Sequence, residues 1–246
     1  MTHPREFTVP DHTPYLIAPV YLAGPDPHAV TTVADVLTCA GWFPHPLHPH
    51  LLQNPGATCA ARHFTPHPGN HPDCLIPAAP RQDRAGVWEF AAFRTPGGPP
   101  LWEARFSPAT PPELTAAFAA ALADTTPTPH GTPRHLTPGG PQAEATAPLA
   151  AAGWLCDIGT EHTWYPADHQ AAVITPTPAP GGPDGNWVFA ACRATDATTL
   201  WHAQATPTTP AHLITALCRA LTDPAPVPRP TLPAPDHGAR TVPRPR

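Results

Sequence analysis

The sequence predicts an α+β protein built from two tandem copies of one unit, each an antiparallel sheet flanked by an N-terminal and a C-terminal helix, packed as a pseudo-twofold pair. Three observations predict it. Tryptophan-centred motifs recur at a fixed spacing, the segments around them alternate apolar and polar with period two, and helical periodicity brackets those segments.

The recurrence is specific. Ala40-Gly41-Trp42 returns 112 residues later as Ala152-Gly153-Trp154. Val87-Trp88-Glu89-Phe90-Ala91-Ala92 returns as Asn186-Trp187-Val188-Phe189-Ala190-Ala191, and Leu101-Trp102-Glu103-Ala104 as Leu200-Trp201-His202-Ala203, both 99 residues on. Leu114, Phe118 and Leu122 map onto Leu213, Leu217 and Leu221 at the same offset. The change in offset means that the first copy carries 13 extra residues. Pro55 matches Pro166 at offset 111, which puts the extra length beyond Pro55, in an insertion at about 66–84.

In chain order, residues 1–18 read as an extended N-terminal segment. The first copy (19–125) opens with an amphipathic helix, because Val30, Val33, Ala34 and Leu37 share one face. Gly41 ends it in a left-handed conformation. Trp88, Phe90 and Ala92 alternate with their neighbours as a strand does. Trp102, Ala104 and Phe106 form a second such strand across a Pro96-Gly97-Gly98-Pro99 hairpin loop. Thr110-Pro111-Pro112-Glu113 reads as a capping box, and Leu114, Phe118 and Leu122 form the buried stripe of the helix that follows. Residues 126–133 are a Pro/Thr linker. The second copy (134–224) repeats the pattern, with Pro148 predicting a shorter or kinked first helix. Residues 225–246, with eight Pro and four Arg from 224 onward, read as an extended, disordered tail whose Arg229-Pro230-Thr231-Leu232-Pro233 contains a P-x-x-P.

Composition removes many chemistries. There is no Lys, so Walker-type phosphate loops and Schiff-base lysines are excluded. The one serine, Ser107, lacks the flanking glycines of a hydrolase elbow. No dinucleotide-binding G-x-G-x-x-G follows a strand-like run. The net charge of −5, with arginines scattered singly outside the tail, disfavours nucleic acid. No apolar run reaches the roughly 20 residues that span a bilayer. The six cysteines form no Cys-x-x-Cys pair, and most read as buried free thiols of a cytoplasmic protein.

The order Tyr21-Leu22-Ala23-Gly24, helix, Ala40-Gly41-Trp42, Trp88/Trp102 hairpin, Thr110-Pro111-Pro112-Glu113-Leu114 and a helix ending Ala121-Leu122-Ala123-Asp124 resembles an actinobacterial domain-of-unknown-function family, number 317, named for a Ser-Pro-Asp-Tyr (SPDY) motif. The resemblance implies tandem architecture and a cytoplasmic compartment and carries no activity. It covers both copies, with His135-Leu136 standing where Tyr21-Leu22 stands. The naming motif is degraded to Asn54-Pro55-Gly56-Ala57 and Tyr165-Pro166-Ala167-Asp168. A turn before a strand is the reading favoured for it, since Pro with Gly or Asp suffices for one.

Two constellations could carry chemistry. His63, His67, His71 and Cys74, with Cys59 just before, have zinc-ligand chemistry; Pro66, Pro68 and Pro72 prevent the helix that would align them, and an exposed loop is the competing reading. His45, His48 and His50 alternate with Pro and read the same way. Glu89 and Glu103 lie on neighbouring strands, with Arg105 placed to form a surface ion pair with Glu103. Trp164, the one Trp with no counterpart in the other copy, adjoins Tyr165 and is either core or an exposed contact. No catalytic residue, metal ligand or cofactor is assigned. The expected function is a non-catalytic protein-interaction or scaffold module, with another protein as its partner, no membrane, and a groove between the copies as a place for ligands. The alternatives are a zinc sensor or metal-dependent enzyme using the insertion, and weak nucleic-acid association through the tail.

Overall fold

The computed structural model describes residues 14–26, 29–64, 87–157, 159, 162–177 and 185–243. Its centre is a single antiparallel sheet of ten strands in the order β2-β3-β4-β5-β6-β11-β10-β9-β8-β7. The first half comprises β2 (Phe43–His45), β3 (His48–Gln53), β4 (Cys59–His63), β5 (Trp88–Phe93) and β6 (Pro100–Phe106). The second comprises β7 (Leu155–Asp157), β8 (Thr163–Tyr165), β9 (Ala171–Ile174), β10 (Trp187–Cys192) and β11 (Thr199–Ala205). The copies therefore do not carry separate sheets. They fuse edge to edge through β6 and β11, which pair Phe106 with Ala203, Arg105 with Gln204 and Ala104 with Ala205. Arg105 and Gln204 are equivalent repeat positions, so the pairing is centred on one position of the repeat.

Among the described residues four α-helices cover one face in the order α1-α2-α4-α3: α1 (Ala29–Cys39), α2 (Pro112–Ala123), α3 (Gln142–Ala151) and α4 (Ala211–Thr222). Leu114, Phe118 and Leu122 of α2 and Leu213, Leu217 and Leu221 of α4 are all buried, as the helical spacing requires. They join Trp88, Phe90, Trp102, Phe106, Trp187, Phe189 and Trp201 in one apolar cluster that runs through both copies. Phe118 touches Phe90, Trp102 and Phe106 with ring centroids 5.2–6.1 Å apart, the edge and tilted contacts that aromatic quadrupoles favour. Gly41 and Gly153 end α1 and α3 at φ of 86° and 78°, where a Cβ would be strained. Pro148 sits inside α3, which still runs ten residues against eleven in α1.

Three further expectations are corrected. The first is the capping box. Pro111, not Thr110, is the N-cap of α2, and no side chain caps the helix. The Thr110 hydroxyl turns instead to the His202 carbonyl, 3.4 Å away in the other copy.

The second is the tail. Residues 225–243 are docked: β12 (Val227–Arg229) and β13 (Arg240–Thr241) flank β1 (Tyr15–Ala18) in a separate three-stranded sheet. Arg229 is 2% exposed and makes a bidentate pair with Glu113, both contacts at 2.7 Å. Proline-rich composition argued for disorder. One buried guanidinium with a carboxylate and backbone carbonyls as partners supplies the anchor that composition does not show.

The third is the ion pair. Arg105 bonds Glu89 on the neighbouring strand at 3.2 Å rather than Glu103 on its own, and Glu89 is buried. Directly opposed strand positions lie closer than positions two apart on one strand, and Glu89 and Arg105 are in register.

Candidate functional site

The His/Cys set is only partly described: His67, His71 and Cys74 lie outside the described residues. Cys59 and His63 sit on the helix-facing side of β4. Cys59 is 1% exposed in the core, and burial pushes its thiol well above the usual range, which disfavours the thiolate a metal needs. The His63 ring packs on Trp88 with centroids 5.1 Å apart. His45 and His48 stack across the β2–β3 turn at 5.0 Å, and His45 Nδ1 accepts the Leu47 N–H. Among the described residues no group of three or more His, Cys, Asp or Glu side chains could hold a metal ion.

Where the copies meet, the hydrogen bonds are reciprocal. Ser107 N–H donates to the His202 carbonyl and Thr206 N–H to the Glu103 carbonyl, both at 2.9 Å. His202 N–H donates to Ser107 Oγ at 3.1 Å, and Glu103 N–H to Thr206 Oγ1 at 3.2 Å. Ser107 and Thr206 are the same repeat position, so the lone serine is a structural hydroxyl of the seam. The match of Ser107 to Thr206 at the repeat offset of 99 is the sequence signal for this role, and the missing flanking glycines say only that it is no nucleophile of the elbow type.

The face of the sheet away from the helices is divided. One register row crosses it: Leu51, Arg62, Glu89, Arg105, Gln204, Val188, Ile174, Thr163 and Asp157. In the first copy this row alternates charge, and opposite charges on adjacent strands attract. Burial raises the Glu103 carboxyl above the usual carboxylate range; Arg105 opposes that shift and Glu89 adds to it. Around the row, Leu51, Ala60, Ala91 and Phe93 form a small buried apolar cluster.

In the second copy the same face is apolar and half-exposed. Ala172 and Ile174 of β9 stand opposite Ala190 and Val188 of β10, with Cys192 beyond. Leu155, at the edge strand β7, is 60% exposed beside Tyr165. Trp164 points the other way, against the core. A solvated sheet face normally carries polar residues at these alternate positions, so an apolar set there marks a surface suited to covering.

The expected ligand groove between the copies is replaced by the continuous sheet and the α2–α4 contact. A pocket of about 150 Å³ lies within the second copy, lined by Gly140, Gln142, Pro176, Trp187, Pro207, Thr209 and Ala211, and it holds no titratable side chain. Among the described residues no helix is long and apolar enough to cross a membrane.

The two degraded motifs are turns. Asn54-Pro55-Gly56-Ala57 joins β3 to β4, and Asn54 Oδ1 accepts the N–H groups of Thr58 and Cys59, each at 2.9 Å. Pro166-Ala167-Asp168 joins β8 to β9, and Asp168 Oδ1 accepts the Gln170 N–H at 3.0 Å. These are side-chain-stabilised turns, the local chemistry for which Asn and Asp are suited.

No curated protein and no solved structure matches the chain. A family model does so twice, one match opening within the first of these turns and the other ahead of β8, each ending after the second helix of its copy: SPDY, a domain of unknown function (DUF317), at residues 55–128 and 158–227. Two matched regions, over more than half of the length, make this chain a member of the DUF317 (SPDY) family with its domain in tandem.

Proposed function

We propose that the protein is a non-catalytic interaction module of the cytoplasm, a pseudo-twofold pair of repeats whose open sheet face receives another protein. The observation that carries this reading is the apolar half-face of the second copy: Ala172, Ile174, Val188, Ala190 and Leu155 lie where a solvated sheet would carry polar side chains. Arg105 at its border, with its side chain 30% exposed, supplies orientation, because flanking charges select a partner more than they tighten it. The fitting partner presents an apolar surface with polar groups at one side.

A photo-crosslinking residue at Val188, compared with one at the exposed Glu144 on the helix side, tests it in a lysate of the source organism. A discrete adduct from position 188 that disappears on Ala190→Glu, with the melting temperature kept, is the expected result. Equal labelling from both positions overturns the reading.

A further inference from the structure

We propose that the turn occupying the family's motif position is an architectural latch: in each copy it grips the opening segment of the other copy. The opening segment of the first copy is the 3₁₀ turn Val20–Leu22; that of the second is the 3₁₀ turn Arg134–Leu136. Tyr21 donates its hydroxyl to Asp168 Oδ2 at 2.9 Å, reaching the turn of the second copy. His135 Nε2 lies 3.1 Å from Thr58 Oγ1, reaching the turn of the first. Aligned on Pro55 and Pro166, Asp168 and Thr58 fall at adjacent positions of the repeat.

A second contact on each segment repeats the crossing. Trp201 Nε1 donates to the Tyr21 carbonyl and Trp102 Nε1 to the His135 carbonyl, both at 2.8 Å. Each opening segment is thus held at two points, one on a turn and one on a hairpin tryptophan, and all four points belong to the opposite copy. Both oxygens of Asp168 are occupied by these internal donors, Tyr21 and Gln170. The Asp168 carboxylate therefore serves the fold rather than facing outward for a ligand.

The tail reinforces one of the two latches. Arg229 Nε and Nη2 donate to the carbonyls of Ala23 and Gly24 at 3.1–3.3 Å, on the far end of the first opening segment. Gln170, two residues past Asp168, donates to the His237 carbonyl at 3.1 Å. The tail lies across both partners of the Tyr21–Asp168 latch.

Hydrogen exchange of the full chain, read by mass spectrometry, tests this by where the change lands. Asp168→Ala is expected to speed exchange in residues 19–24 about tenfold while leaving 131–137 unchanged, since local opening tracks the contacts holding a segment. Thr58→Val is expected to do the reverse. Faster exchange confined to the mutated copy's own turn overturns the latch. If Asp168→Ala does not fold, Tyr21→Phe, which removes only the hydroxyl, is read across 168–170: faster exchange there supports the latch and unchanged exchange overturns it.

Discussion

The indole N–H of Trp201 meets the carbonyl oxygen of Tyr21 at 2.8 Å, joining the last sheet strand of the second copy to the 3₁₀ turn that opens the first. Trp201 is 2% exposed and Tyr21 6%, so water does not replace this bond when it is lost. Trp201→Phe keeps most of the ring and removes the donor. The expected cost is about 1–3 kcal/mol, the penalty for an unsatisfied buried carbonyl. Urea denaturation measures it, and Trp102→Phe is expected to lose a similar amount through His135. A neutral Trp201→Phe would remove energetic weight from the crossing.

The core stripe makes a stronger demand. Leu217 is 1% exposed and faces the sheet from α4. Leu217→Ala should lower stability by about 2–5 kcal/mol, by lost transfer energy and the cavity left behind. Leu217→Asp should unfold the second copy, because an unpaired carboxylate has no place there. Circular dichroism melting distinguishes the two: a lowered single transition for the first, loss of native signal for the second.

Arg229 cannot shed its charge, and it is almost fully buried against Glu113. Removing the carboxylate by Glu113→Ala should cost about 3 kcal/mol, the low end for breaking a buried pair, since three carbonyls still accept from Arg229. Arg229→Met, which removes the charge as well, should cost less. Chemical denaturation of both variants checks the order; the reverse order would mean that the arginine contributes through its carbonyl bonds alone.

Acid should loosen the join between α4 and the linker. Burial holds His212 down at about 4, with Arg134 and His135 adding and Asp124 opposing, and burial lowers His135 too. A lowered imidazole favours the neutral form when folded, so the unfolded chain binds the extra proton. Stability should be full above the ordinary histidine value of roughly 6.5 and fall as pH drops from there to about 4, levelling below for His212. His212→Gln should flatten that slope in melting curves taken across the window; an unchanged slope would assign it to other groups.

The cysteines should separate by reactivity. Cys39 and Cys156 are exposed, while Cys59 and Cys218 are buried, and burial pushes Cys218 up to about 12. In the native protein a thiol reagent should label Cys39 and Cys156 within minutes and reach Cys59 and Cys218 only on unfolding. Peptide mapping after a short pulse gives the answer.

The sequence by itself determined the repeat, the hairpin strands β5, β6, β10 and β11, the helices α1 to α4, the buried stripes of α2 and α4, the turn at each degraded motif and the family. Those follow from local spacing: Leu114, Phe118 and Leu122 share a helix face, and Trp102, Ala104 and Phe106 share a strand face, whatever they pack against. Only the tertiary structure decided how the copies join. The edge pairing of β6 with β11, the use of Ser107 as a seam hydroxyl, the crossing of Tyr21 to Asp168 and of His135 to Thr58, and the burial of Arg229 on Glu113 all link residues about a hundred or more positions apart, save His135 and Thr58 at 77. Periodicity reports which face of an element is apolar. It carries no information about which distant backbone carbonyl or carboxylate a buried polar group will meet, because that partner is chosen when the elements dock and every buried donor must find an acceptor.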